Sequence, residues 1–169
     1  MRSVRKVAGL CLCIGGGLAV STIAAFSQPL VFQGIPYMDD RSSPQSLVES
    51  YYNAINRKAY VQAFSYLQSP NQSFDDFQKG YATTISVELR YGNTQPDPGA
   101  GQIYWALPVA IRAHTSDGKS QVYAGCYTTH MTNPGIPTDP PYKPMGIDSV
   151  ELAQSSEPLE QAVPLSCER

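Results

Sequence analysis

Near residue 82 the spacing of apolar residues in this 169-residue chain changes, and that change decides which folds are open to it. Upstream, Leu47, Val48, Tyr51, Tyr52 and Ile55 recur at i, i+1, i+4, i+5 and i+8, one apolar stripe along a helix. Downstream, Ile85, Val87, Leu89 and Tyr91 alternate with Thr84, Ser86, Glu88 and Arg90, which gives a strand one apolar and one wet face. Helices come first and strands follow as a block. That is the order of an α+β domain, not of repeated βαβ units.

Local signals divide the helical half into three. Ser43-Pro44 supplies a cap residue and a proline suited to a first helical turn, and Asn53, Asn56, Arg57 and Lys58 are expected to face water at that helix's end. Ala59, Tyr60, Ala63, Phe64 and Leu67 fit a second short helix, stopped by Ser69-Pro70. Ser73 opens a third, with Asp76 three residues on as an acidic capping box and Phe74, Phe77 and Tyr81 on the buried side. Residues 28–42 carry no period and read as a flexible spacer, so the domain is expected over 43–169.

In the strand half, Ile103, Trp105, Leu107, Val109 and Ile111 form the longest alternating run, in which Pro108 demands a bulge or an edge position. A turn at Ser116-Asp117-Gly118-Lys119 leads into a strand over Gln121–Thr132, and Ile147–Leu152 makes a last, weaker one. A two-residue loop at Asp117-Gly118 would put Trp105 opposite His130 and turn Cys126 inward. A three-residue loop with Gly118 left-handed pairs Ile111 with Tyr123 and Leu107 with Tyr127 and turns Cys126 outward; this second register is favoured. It buries two tyrosines over the helices.

Compartment follows from the N-terminus and the cysteines. Arg2, Arg5 and Lys6 precede an apolar stretch from Leu10 to Phe26 that ends in small residues, the form of a signal peptide (1–27) cleaved near Ser27. The expected product is exported, periplasmic or extracellular, with no membrane attachment after cleavage. Cys11 and Cys13 leave with the leader, so Cys126 and Cys167 are expected to form a disulfide. Without the leader's three cations the net charge of −2 becomes −5, and no cluster of basic and aromatic residues is present, which argues against nucleic acid as a partner.

The helical run from Leu47 to Asn56, then Tyr60, Ala63 and Phe64, then Phe77, Gly80 and Tyr81, and the strands holding Val109–Ile111 and Tyr123–Tyr127 together resemble the nuclear transport factor 2-like superfamily, the cystatin-like α+β cone. The resemblance covers residues 43 to about 153 and is closest to small exported bacterial members. It implies N-terminal helices packed on the concave face of a curved antiparallel sheet. Because that superfamily includes isomerases, dehydratases, ligand carriers and scaffolds, it does not by itself fix an activity.

Within such a cone Tyr51, Tyr81, Trp105, Tyr123 and Tyr127 are the expected ligand-pocket residues, with apolar walls and hydroxyl tips. Comparison with ketosteroid isomerase-like members asks for a carboxylate base in an apolar pocket beside a phenol donor. Asp148 and His130 are the weak candidates for a catalytic base. His114 and His130 lack a third ligand at metal spacing, and no cofactor motif occurs, so neither metal nor cofactor is expected. The expected function is therefore that of a non-enzymatic domain binding a small apolar ligand or an envelope partner protein. The alternatives are an isomerase- or dehydratase-like enzyme and a structural scaffold that homodimerises through its sheet.

Overall fold

The computed structural model describes residues 31–32 and 34–167; the expected leader lies outside them. A two-stranded ribbon of β1 (Val31–Phe32) and β2 (Ile35–Pro36) precedes α1 (Pro44–Asn56), α2 (Tyr60–Phe64) and α3 (Phe74–Gly80). Then come β3 (Thr84–Tyr91), β4 (Asp97–Gly99), β5 (Gln102–Thr115), β6 (Ser120–Thr132) and β7 (Gly146–Ser155). The caps form as the sequence requires. Ser43 Oγ accepts the Ser46 N–H at 3.1 Å, and Ser73 Oγ accepts the Asp76 N–H at 3.2 Å.

The strands make a curved, unclosed antiparallel sheet in the order β3-β5-β6-β7, with β4 also paired to β5. Leu107 lies opposite Tyr127 and Ile111 opposite Tyr123, the register of the three-residue loop. Thr115 N–H donates to Lys119 O at 3.0 Å across that loop, and Gly118 sits at φ +79°, a conformation glycine adopts without a Cβ clash.

Pro108 needs no bulge against β6. Its carbonyl accepts the Gly92 N–H at 2.9 Å where β3 has ended and β4 has not begun, so its missing donor costs no ladder bond. Ile85 departs from its expected inward position. The β3–β5 register slips between Thr84 and Ser86, and the irregularity leaves Ile85 56% exposed.

One apolar core lies between helices and sheet: Leu47, Val48, Tyr51, Tyr52, Ala54 and Ile55 of α1 meet Val87, Leu107, Val109, Ile111, Tyr127 and Ile147 of the strands. The polar residues ending α1 do not face water as expected; they anchor it. Asn56 Nδ2 donates to Val87 O at 2.9 Å and its Oδ1 accepts the Val87 N–H at 2.7 Å, closing the outer edge of β3. Lys58 Nζ donates to the carbonyls of Thr84 and Ile85. Arg57 is buried, bonded to Asn53 and Gln62 and laid 5.0 Å from the Tyr37 ring. Residues 36–42, expected as spacer, lie against the helices: Asn53 Nδ2 donates to Pro36 O, Gln62 Nε2 to Met38 O, and Asp40 N–H to Ser50 Oγ.

The sheet's other face carries a second apolar layer. Even-numbered β5 residues point there, and Ala110 and Leu159 are fully buried yet stand apart from the main core. Leu159 belongs to the C-terminal tail, whose Glu160 lies 3.6 Å from Arg90 and 3.9 Å from Arg112. Cys126 points outward on β6 and is disulfide-bonded to Cys167 with Cα atoms 5.9 Å apart. No helix among the described residues is long and apolar enough to cross a membrane.

Candidate functional site

Because the sheet curves and the helices meet only part of it, a cavity of about 570 Å³ remains between α1, α3 and the β5–β7 half of the sheet. Tyr51 and Tyr52 enter from α1, and Phe77 and Tyr81 from α3 and its end. Ile111, Tyr123 and Tyr127 enter from β5 and β6. The rim is formed by Ser69–Gln72 on one side and by Ile147–Leu152 of β7 on the other. Four of the five expected pocket residues, Tyr51, Tyr81, Tyr123 and Tyr127, thus come together. Trp105 does not: it lies opposite Thr129 and packs partly buried against the core. Alternation put it on the correct face but could not say how far along β5 the cavity extends. Tyr52 and Phe77 join the lining without having been singled out for it, although both stood in the helical stripes.

The phenols pair. Tyr51 Oη lies 2.8 Å from Tyr81 Oη, and Tyr52 Oη is hydrogen-bonded to Tyr127 Oη. Edge-on ring contacts tie the pairs together, with Tyr51 and Tyr52 centroids 5.0 Å apart and Tyr51 and Tyr127 centroids 6.4 Å apart. Burial, followed by the neighbouring phenols, pushes Tyr51 and Tyr127 well above the ordinary tyrosine range. Burial likewise raises Tyr52 and Tyr81. All four are therefore neutral. A phenol has one proton to donate, so each pair uses one O–H internally and keeps a second for an acceptor brought into the cavity.

These shifts have a consequence for stability. An unfolded phenol titrates near about 10, whereas burial holds Tyr51, Tyr52, Tyr81 and Tyr127 above that and Tyr66 up to about 12. The stability tied to these protons is fully present below about pH 10 and falls as the pH rises through the folded values, because only the unfolded chain releases protons there. Ultraviolet difference titration is expected to show the five named phenols ionising only together with alkaline unfolding. Independent titration of all 11 tyrosines in the folded protein would contradict this.

Neither candidate base stands among the phenols. Asp148 sits on the rim, exposed, at the irregularity in β6–β7 pairing, and His130 is on the outer face beside Tyr104, with ring centroids 5.1 Å apart. His130 Nδ1 lies 3.5 Å from Asp148 Oδ1 without hydrogen-bond geometry. No acid lies among the paired phenols; the acids lining the cavity, Asp148 and Glu151, are both exposed rim residues. The carboxylate-and-phenol arrangement of an isomerase is thus not brought together here.

A second polar cluster appears at the β5–β6 turn. His114 Nε2 lies 2.7 Å from Glu88 Oε1, and Ser120 Oγ lies 2.7 Å from His114 Nδ1. The His114 hydrogen bond, with Arg112 beside it, holds the Glu88 carboxyl below the usual range. The connectivity is that of a nucleophile, base and orienting acid. None of the three residues lines a cavity described here, so the cluster is a solvated cross-strand network. Among the described residues no group of three His, Cys, Asp or Glu side chains is placed to hold a metal ion.

A further cavity of about 560 Å³ lies within the proline-rich loop, between Met131 and Lys143. It is enclosed largely by that one loop, and Tyr142 there is 80% exposed. No protein-family model, curated protein or solved structure matches the chain.

Proposed function

We propose that this is an exported, non-enzymatic binding domain whose tyrosine-floored cavity receives a small apolar group bearing a hydrogen-bond acceptor. The observation that carries the reading is the pair of neutral phenol couples at the floor, each with one O–H to offer, between apolar walls of Leu67, Phe77, Ile111 and Ile147. A volume of about 570 Å³ lies within the range of small-molecule sites. Three helices followed by a curved antiparallel sheet support the likeness to the nuclear transport factor 2-like cone, and the Cys126–Cys167 disulfide supports an oxidising compartment.

The test uses prodan, an apolar naphthalene dye with one carbonyl. Prodan is expected to bind with a blue-shifted emission. Tyr81→Phe removes one donor and is expected to weaken binding by about 1 kcal/mol, roughly fivefold. Leu152→Trp fills the mouth and is expected to weaken it more than tenfold at unchanged thermal stability. Equal affinity for Leu152→Trp and the unmodified protein would place the dye elsewhere and overturn the reading.

A further inference from the structure

The outer wall of the cavity touches six consecutive residues, Ile147 to Leu152. Side chains of a strand alternate between faces, so no single face presents six in a row. That wall is therefore the edge of β7, and an edge offers backbone groups.

The register tells which ones. Gly92 N–H donates to Pro108 O, so even-numbered β5 residues turn their backbone groups toward β3 and odd-numbered ones, Leu107 and Val109, turn theirs to β6. On β6 the even-numbered residues then face β7, where they meet Ser149, Glu151 and Ala153. The N–H and C=O of Val150, Leu152 and Gln154 point away from the sheet.

One step upstream the same edge already carries a piece of this chain. Ile147 N–H donates to Tyr66 O at 2.8 Å and Ile147 O accepts the Gln68 N–H at 2.9 Å, in parallel pairing of Leu67 with Ile147. The chain then turns away at Ser69-Pro70. Among the described residues none bonds to the outward groups of Val150, Leu152 or Gln154. Charge adds a second constraint. Asp148 and Glu151 are exposed on this rim, Glu151 on the outer face opposite Cys126, and among the described residues no Lys or Arg lines the cavity.

Resting on the reading above, we propose that the apolar group is delivered by an extended, basic segment of a partner protein that pairs with the β7 edge. A strand added to an edge shares its alternation of faces. Every second side chain of the segment enters above the paired phenols, and the intervening ones, Lys or Arg, face Asp148 and Glu151.

The test titrates the exported chain with the peptide acetyl-Lys-Xaa-Lys-Leu-Lys-amide, in which Xaa is 4-acetylphenylalanine and its ketone supplies the acceptor, following prodan displacement and amide exchange by nuclear magnetic resonance. The expected result is displacement of the dye with slowed exchange at Val150 and Leu152. Methylating the peptide's alternate backbone nitrogens, which leaves the protein untouched, is expected to weaken binding at least tenfold, as is exchanging its lysines for glutamates. Gln154→Pro, which lies beyond the cavity lining and removes one outward N–H and no β6 bond, is expected to weaken peptide binding at least tenfold while prodan still binds. Prodan binding without peptide competition, or an N-methylated peptide that binds as well, overturns the peptide assignment and leaves the cavity reading standing. Failure of both ligands overturns both. Slow exchange at Val150 and Leu152 without peptide, in a dimer, assigns the edge to a second copy and overturns the proposal.

Discussion

Replacing both Cys126 and Cys167 with serine is expected to lower unfolding free energy by about 4 kcal/mol in the chain-entropy model for a loop of 41 residues. The bond spans the whole β6–β7 excursion and ends in the tail that covers the outer face of the sheet. Burial of Leu159 and the Glu160 contacts with Arg90 and Arg112 remain in the variant, and exposed ion pairs of this kind contribute little. The tail is therefore expected to stay docked in the folded state, and the loss falls mainly on the unfolded side of the equilibrium. Urea unfolding of the double variant against the oxidised protein reads the difference. A change under about 1 kcal/mol would show that the cross-link constrains the unfolded chain far less than its loop length implies.

A comparable loss is expected from a single methyl group. Gly125 lies mid-β6, opposite Val109 on one side and Leu152 on the other. A Cβ there would overlap the Glu151 carbonyl oxygen and crowd Leu152 Cα at 3.1 Å. These are backbone atoms of a paired strand and cannot swing aside, so Gly125→Ala is expected to cost roughly 3 kcal/mol, the upper end for overpacking. Slow amide exchange at Glu151 and Ala153 is expected to be lost with it, since β7 must move away. Gly99→Ala is the control. Nothing lies within 4 Å of a Cβ placed there, so the cost is expected to stay under about 1 kcal/mol. Equal destabilisation by the two substitutions would show that β7 is not held as close to β6 at Gly125 as described.

Much of this architecture was legible because it depends on period and turn chemistry. Gly118 in a left-handed conformation selects the three-residue loop, and that loop alone sets which side chains of β5 and β6 share a face. It follows that Cys126 turns outward to Cys167 and that Tyr123 and Tyr127 turn inward. The polar end of α1 was misread for a physical reason: periodicity sorts residues by polarity, and Asn56, Arg57 and Lys58 are polar residues whose partners are backbone carbonyls, amides and a ring. The outer apolar layer was invisible in the same way. The tail has no period, and Leu159 carries no signal of its own beyond the nearby Cys167. Ile85 was lost to a register slip, which alternation cannot foresee.

The site was legible as a set of tyrosines and not as a geometry. Spacing places Tyr51 on the buried side of α1 and Tyr123 and Tyr127 inside the sheet. It does not show that their hydroxyls pair, nor that the curvature of β5–β7 leaves a space above them that stops short of Trp105. The β7 edge was harder still. Val150 and Leu152 were read as a weak last strand, and their outward backbone groups emerge only when the register is followed across three strands.

The most direct measurement is a set of intermolecular nuclear Overhauser contacts between prodan and the isotopically labelled protein. Contacts from the dye's ring protons to Tyr51, Tyr81, Ile111 and Tyr123 are the expected result, with its carbonyl end nearest the paired phenols. Contacts confined to Ile136 and Tyr142 of the proline-rich loop, or none at all at saturating dye, would contradict the assignment of this cavity as the binding site.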